Sequence, residues 1–341
     1  MSRLISAIVT VYNRAGMVTA ALASLDLDGP NRLEIIVVDD GSTDGSQQVV
    51  GGMDDNRIRL IRHDRNRGIP AARNTGLEAA EGDYIAWLDS DDLARPGRLD
   101  SQIRFLDAHP EIAMIGASAG RITRDGRARR GARVPLMAHE DICAQLLFRS
   151  AFQQSSIIGR AAILKAYPYR EAFPVCEDVD MFVRLTADHR VANLAEILVE
   201  RRQHAGQTVK QQSAAIRERK GEIFRHSLGR LGIVPDDQEL QRHVMLGNLK
   251  NEPVSRAMLD WSEAWLDRIG AANRLAQVYD QAALDFVSSR LWLLASRNAL
   301  NGPGRRHALA RIARSPLTRG MLNRRGRAWL CQASRVRLAG R

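Results

Sequence analysis

The sequence predicts an α/β protein: a mostly parallel sheet flanked by helices, with a helical extension toward the C-terminus. Three observations carry that prediction. Short β-branched runs alternate with stretches of helical apolar spacing from Leu4 to Ala117. Each early apolar run stops abruptly at a polar cluster. After Gln203 the strand-like runs cease and helical spacing continues to the end of the chain. Alternation of this kind is the signature of a parallel sheet with covering helices.

Leu4–Val11 is a short β-branched run ending at Tyr12-Asn13. It runs straight into polar Tyr12-Asn13-Arg14 without a small-residue cleavage site, so it reads as a strand and not a signal peptide. Ala15–Leu25 places Val18, Ala21, Leu22 and Leu25 at helical spacing. Leu33–Val38 is a second strand, closed by Asp39-Asp40-Gly41-Ser42. Ser42 or Thr43 is expected to cap a helix through Val50, with Asp44 favouring its positive N-terminal end. Ile58–Arg62 reads as a third strand and Pro70–Ala80 as a third helix. Tyr84–Leu88 is a fourth strand, ending at Asp89-Ser90-Asp91-Asp92. A helix over Leu99–Ala108 and a strand over Ile112–Ala117 follow, then a Gly/Arg-rich connection over Arg121–Arg133. Residues 139–149 and 177–189 have helical patterns, with a strand-like segment at Ser155–Ile158 between them. The change of character sets a boundary near 210: a sheet-containing domain over 1–210 and a basic, mainly helical region over 211–341.

A chain of 341 residues has room for two domains, or for one large domain with an appendage. At 45% hydrophobic residues it can bury a sizeable core, which excludes disorder throughout. Cys143, Cys176 and Cys331 are too few and too scattered for a disulfide framework or a Cys-rich metal site, and a reducing, cytosolic compartment fits them. The formal charge of +11 makes nucleic acid the first partner to consider. Residues 1–210, however, hold 27 Lys+Arg against 28 Asp+Glu, a net of −1, whereas 211–341 hold 23 against 11, a net of +12. From Phe286 to Arg341 there are 13 Arg, no Lys and no acid. The aromatics of that tail are too sparse for a base-stacking platform. Its Arg residues are interspersed with Leu309, Ile312, Leu317, Met321, Leu322, Trp329 and Leu330, a composition suited to an anionic membrane surface. The apolar stretch Leu291–Ala295 is far short of the ~20 residues that span a bilayer. Trp261, Trp265 and Trp292 with their Leu neighbours are expected to pack helix against helix.

In an open parallel sheet, ligands bind beyond the carboxyl ends of the strands, where these polar clusters fall. An extended chain puts Asp89 and Asp91 on one side, and carboxylate oxygens suit hard cations such as Mg²⁺ and Mn²⁺. Asp39-Asp40 is either a turn or a pair that accepts hydrogen bonds from a base or ribose. Grouping several carboxylates without cations is costly. Asn66-Arg67-Gly68 leads to a helix bearing Arg73, whose planar guanidinium could pair with Asp40 or with a phosphate. There is no Gly-x-x-x-x-Gly-Lys-Ser/Thr and no Gly-x-Gly-x-x-Gly, which disfavours P-loop and ordinary dinucleotide chemistry. Glu177-Asp178 opens a helix, where carboxylates either complement the dipole or serve as a general base. Cys176 beside them has no Cys/His/Asn pattern to make it a nucleophile. His204 ends the run after Ile197–Val199, and a chain that returned it to Asp91 would let it ligate a metal or contact a phosphate.

Taken in order, the motifs resemble glycosyltransferase family 2, the inverting nucleotide-sugar transferases with a GT-A fold. The resemblance rests on Val9-Thr10-Val11-Tyr12-Asn13-Arg14, Val37–Asp44, Asn66-Arg67-Gly68 with Ala72-Arg73-Asn74, Tyr84–Asp92, Glu177–Asp180 and Arg202-x-His204, and it covers residues 1–210. It implies a Rossmann-like sheet and a nucleotide-sugar donor, uridine-linked by default. Thr10, Tyr12, Asn13, Asp40 and Arg73 would hold the nucleotide. Asp89 and Asp91 would form the DxD element, with Asp91 the direct ligand of Mn²⁺ or Mg²⁺ and His204 beside it. Asp178 would be the general base, with Glu177 positioning it or the acceptor. A saccharide or lipid-linked acceptor is implied, and with the Arg tail a cytoplasmic, peripheral place on the inner face of the membrane. A nucleotidyltransferase would also use carboxylates and a metal, but it lacks here the Gly-rich basic loop near the N-terminus. Residues 211–341 match no motif.

Overall fold

The computed structural model describes residues 2–27, 31–204, 212–249, 253–302, 305–322 and 325–331. In chain order the elements begin β1 (Leu4–Val11), α1 (Ala15–Ala23), β2 (Arg32–Asp39), α2 (Ser46–Gly51), β3 (Ile58–Arg62) and α3 (Ile69–Ala79). Next come β4 (Tyr84–Trp87), β5 (Leu93–Ala94), α4 (Arg98–Ala108), β6 (Ile112–Thr123), β7 (Ala128–Arg133) and α5 (His139–Leu146). Then follow β8 (Ile158–Arg160), α6 (Ala161–Ala166), α7 (Glu177–Asp188) and β9 (Arg190–Gln203). The remainder is helical: α8 (Ser213–Gly229), α9 (Asp237–Gly247), α10 (Arg256–Ala276), α11 (Gln281–Leu300), α12 (Arg305–Arg314) and α13 (Pro316–Arg319). These elements form two compact units. One comprises residues up to Met137 with Phe152–Gln212, and the other Ala138–Ala151 with the described residues from Ser213 onward.

The first unit is built on a sheet of order β3-β2-β1-β4-β8-β6-β9-β5, with β7 paired to β6. The pairs β1–β2, β2–β3, β1–β4 and β6–β9 are parallel, and β5, β7 and β8 run antiparallel to their neighbours. Because β1, β2, β4 and β9 point the same way, their carboxyl ends open on one edge of the sheet. Ile35 and Val37 pack with Val18, Leu22 and Val50 on one face, and α3 covers β1 and β2 on the other. The second face is approached closely: a Cβ on Gly76 of α3 would lie 2.4 Å from Ile8 Cγ2, so glycine there lets the helix sit on the strand.

Several elements differ from their expected form. The first turn of α2 starts at Ser46, not at Ser42 or Thr43. Gly45 takes a left-handed φ of 88°, and Asp44 accepts the Ser46 N–H at 3.0 Å. The Arg-rich stretch over 121–133 is not a bare connection but the hairpin β6–β7, turned at Asp125-Gly126 with Gly126 at φ 81°. An Asp-Gly turn is the local signal for such a hairpin. Its solvated Arg side chains leave no apolar alternation to read. β9 is a 14-residue strand where an apolar run over Ile197–Val199 was recognisable, and register shifts against β6 break its alternation. The expected strand near Ser155–Ile158 is a 3₁₀ turn over Gln154–Ser156 followed by β8.

The second unit is held by α11, which packs against α5, α10 and α12. Trp265 of α10 donates its indole N–H to His243 Nδ1 at 2.9 Å, and His243 Nε2 lies 2.8 Å from the Leu147 carbonyl. Those two bonds fix the neutral ring with its proton on Nε2, and burial lowers the His243 pKa to about 4. In α12, His307 and Arg311 reach Asp260 of α10, while Arg305, Arg306, Leu309 and Arg314 face solvent. Leu317 and Met321 follow it, and the tail beyond residue 331 lies outside the described residues. Among the described residues no helix is long and apolar enough to cross a membrane.

Candidate active site

The polar edge of the first unit is assembled from the sheet outward. Asn13 follows β1 with φ 54°, and its Oδ1 accepts the Thr43 N–H at 2.9 Å while its own N–H donates to Ser42 Oγ at 3.0 Å. The loops after β1 and β2 are thereby tied together. Tyr12 beside it is 45% exposed, a large ring left in the open. Thr10, two residues earlier, is half-buried on β1. Asp40 is buried just past β2. Its Oδ1 accepts the Arg67 N–H at 2.9 Å and meets His63 Nδ1 at 2.7 Å, and its Oδ2 accepts the Gly68 N–H at 2.9 Å. Asp40 therefore fastens the 63–68 loop to the sheet. Gly41 lets that loop come close, since a Cβ there would lie 2.5 Å from the Arg65 carbonyl carbon. The pairing of Arg73 with Asp40 that the sequence left open is not formed.

Arg73 instead lies at the centre of the site. From α3, its NH1 donates to Glu177 Oε1 at 2.5 Å and its NH2 to Asp89 Oδ1 at 3.4 Å. Its guanidinium carbon lies 5.9 Å from the Trp87 ring centre and 5.3 Å from that of Tyr169, within cation–π range of both. Burial, the largest single influence, lowers the Arg73 pKa, but Glu177 together with Tyr169, Asp89 and Asp178 outweighs it and the net shift is upward. Glu177, at the first turn of α7, is buried. Desolvation pushes its pKa up to about 7, with Arg73 opposing and Asp178 adding to the rise. Asp178 is half-buried, its Oδ1 accepts the Val179 N–H at 2.8 Å, and its other oxygen has no partner among the described residues. Two adjacent carboxylates at one helix start thus have different surroundings: one is spent on an arginine, the other has an oxygen free.

Beyond β4 stand Asp89, Asp91 and Asp92, whose carboxylates each bring an oxygen within 4.8 Å of the others. Burial, offset by Arg73 and reinforced by Asp91, raises the Asp89 pKa. Burial and the charges of Asp89 and Asp91 push Asp92 up to about 8. Crowded hard oxygens of this kind are a donor set that a divalent cation relieves, so the residues fit Mg²⁺ or Mn²⁺. Asp91 Oδ2 lies 2.7 Å from His204 Nε2, so the chain does return the histidine to the acidic cluster. β9 brings it there: β5 pairs antiparallel with Val199 and Glu200, and Arg95 adds a salt bridge to Glu200.

Some contacts within this site carry no local sequence signal. Asp92 is buried against Ser155 Oγ, which donates to its Oδ2 at 2.5 Å, and the Arg202 N–H, which donates to its Oδ1 at 2.9 Å. Arg98 is fully buried, and its guanidinium donates to the Trp87 carbonyl at 2.8 Å and to Gln102 Oε1 at 3.0 Å. Its NH1 has no partner among the described residues, and burial lowers its pKa to about 9 against the pull of Asp92 and Asp89.

This geometry agrees with what the chain is similar to. The family model described as Glycosyl transferase family 2 matches residues 6–170. EpsE of Bacillus subtilis, named as a glycosyltransferase, is 31% identical over 207 residues, which are 58% of this chain and 73% of EpsE. The chain belongs to glycosyltransferase family 2. Another relative of this family 2 enzyme is the succinoglycan biosynthesis protein ExoO of Rhizobium meliloti, 39% identical over 157 residues, 45% of this chain and 43% of ExoO. Among solved structures, residues 1–349 of TarS from S. aureus, in complex with UDP-GlcNAc, match with a TM-score of 0.55 at 19% identity, over 92% of each chain. The mannosyltransferase PcManGT from Pyrobaculum calidifontis, in complex with GDP-Man and Mn²⁺, matches with a TM-score of 0.50 at 16% identity, over all of this chain and 86% of PcManGT. At such identities the structural likeness establishes the fold, and the fold of this glycosyltransferase is GT-A.

Proposed function

We propose that this glycosyltransferase moves a sugar from a nucleoside-diphosphate sugar, UDP-linked in the first instance, to a hydroxyl of a saccharide or lipid-linked acceptor, inverting the anomeric centre. One observation carries the reading: Arg73 links the acidic cluster at the end of β4 to the helix start that presents Asp178. Leaving group and base are thereby served from opposite ends of one buried bridge. Thr10, the open Tyr12 ring and the Asn13 loop hold the nucleotide, and Asp40 shapes that pocket by fastening the 63–68 loop. Asp91, with Asp89 and His204, holds a divalent cation, which when bound neutralises the charge growing on the departing diphosphate. A hydroxyl is a weak nucleophile, so the free oxygen of Asp178 takes its proton as the new bond forms. Displacement in one step, with one base, inverts the carbon. Arg73 contributes by holding Glu177 and Asp89, which sets α7 and the metal loop at a fixed distance. The nucleotide sugars in complex with TarS and PcManGT support the donor class. ExoO's part in succinoglycan biosynthesis supports a place in the synthesis of a cell-surface polysaccharide.

The deciding experiment is a thermal-shift screen of UDP, GDP and dTDP, each with and without Mn²⁺, followed by the matching sugar nucleotide as substrate. One nucleotide is expected to raise Tm in a metal-dependent way, since a ligand at 100 times its Kd adds about 2.7 kcal/mol. Release of pyrophosphate in place of a nucleoside diphosphate would identify a nucleotidyltransferase and end the transferase reading. We also propose that the solvent face of α12, with Arg305, Arg306 and Arg314 exposed, rests on the anionic inner face of the membrane. Removing residues 301–341 is expected to weaken binding to phosphatidylglycerol vesicles at low salt, and unchanged binding would reject this placement.

A further inference from the structure

Three carboxylates crowd the end of β4, but they do not stand alike toward a cation. Asp89 and Asp91 each keep an oxygen without a partner among the described residues. Asp92 is 3% exposed and has spent both: Oδ1 on the Arg202 N–H, Oδ2 on Ser155 Oγ. The bonded partner Arg202 then turns back, its Nε donating to the Asp91 carbonyl at 2.8 Å and its NH1 to the Arg124 carbonyl at 2.6 Å. Two residues further along, His204 Nε2 meets Asp91 Oδ2. The segments 91–92 and 202–204, about 110 residues apart in the chain, are therefore clamped at three points within a few residues. Remove Asp92 and the buried Arg202 N–H loses its acceptor, which frees the end of β9.

We propose that Asp92 is a positioning residue and not a metal ligand: with Ser155 and Arg202 it forms a clamp that seats His204 against Asp91. Asp92 acts through the backbone of β9, and Asp91 and His204 face the cation. Groups that orient metal ligands typically change metal affinity by 10–100-fold when removed. The inference rests on the reading that this cluster takes a divalent cation, so its test uses Mn²⁺ alone, titrated into the full chain by calorimetry and by the loss of free-Mn²⁺ electron spin resonance, with no donor present. Asp92→Ala is expected to weaken Mn²⁺ binding at least 10-fold. Asp92→Asn keeps an oxygen for the Arg202 N–H and is expected to restore affinity to within about 3-fold of the unaltered chain. A direct ligand would behave otherwise, because Asn removes the charge that a cation binds. Ser155→Ala, which releases one Asp92 oxygen and the longer 3.3 Å contact from the Asp89 N–H but removes no carboxylate, is expected to fall between the two, and it serves with Asp92→Asn where Asp92→Ala does not fold. Equal losses in Asp92→Asn and Asp91→Ala would make Asp92 a ligand and overturn the assignment, as would full affinity in Asp92→Ala or in Ser155→Ala. An unaltered chain that takes up no Mn²⁺ overturns the metal reading itself and the clamp's purpose with it.

Discussion

Asp178→Asn is expected to lower turnover by 10²–10⁴-fold while leaving metal-dependent binding of the nucleoside diphosphate intact. That is the range contributed by a positioned general base. The structure separates Asp178 from its neighbour Glu177, although both open α7. Glu177 is buried and bonded to Arg73 at 2.5 Å, so its oxygen is engaged in holding the scaffold. Asp178 keeps one oxygen without a partner among the described residues. Asparagine preserves the size of the side chain and the oxygen that accepts the Val179 N–H, but it cannot accept a proton at neutral pH. The readout is nucleoside diphosphate released from the donor, measured with acceptor and, more slowly, with water as the attacking group. Asp91→Ala provides the contrast, because it is expected to abolish both turnover and the metal-dependent rise in Tm. A pair of variants that fail in different ways separates the base from the cation site. Full turnover in Asp178→Asn would remove the residue from its role, and Glu177 would then be examined.

What the sequence made legible was local. The β–α alternation through α4 could be read because each helix and strand repeats its apolar period within its own span. The Asp89–Asp92 cluster and Glu177-Asp178 could be found because they are contiguous and fall at element ends. The relations between them could not. Arg98, fully buried beneath the cluster, opens an amphipathic helix and looks like an ordinary surface arginine until the fold closes over it. Ser155 reaches Asp92 across 63 positions, and Arg202 reaches it across 110. No periodicity encodes such pairs, because they exist only once antiparallel β8 and the long β9 have been added to the parallel core. The same holds for Asp40. Its place after β2 marked it as important, but its engagement by the Arg67 and Gly68 amides appears only in three dimensions. Charge behaved differently again. The net of +12 in residues 211–341 says nothing about the chemistry, which in the proposed function rests on an acidic cluster in the balanced part of the chain.

Arg73→Met is expected to cost about 3–5 kcal/mol of stability at pH 8.5, and less at pH 6. Removing one partner of a buried ion pair leaves the other charge uncompensated, and that penalty lies in this range. Arg73 and Glu177 are both more than nine-tenths buried in their side chains, so solvent screens the pair little. Methionine can keep an apolar contact with the Trp87 and Tyr169 rings beside which Arg73 lies, which limits the loss from packing. The pH dependence follows from Glu177. Its folded pKa, about 7, already exceeds its ordinary value of 4.5 because of burial, and losing Arg73 raises it further. A carboxyl whose folded pKa is raised contributes most to stability below its unfolded pKa, and that contribution is lost as pH rises through the folded value. At pH 8.5 the variant must bury a charge or protonate at a cost. At pH 6 the folded state takes up the proton and the cost largely disappears. Urea unfolding at the two pH values measures the difference directly. Arg73→Lys is not expected to restore the protein fully, because one ammonium cannot span Glu177 and Asp89 as the planar guanidinium does. Equal destabilisation at both pH values would show that Glu177 is not the charge stranded by the substitution. A loss below about 1 kcal/mol would place the pair among contacts that solvent already satisfies.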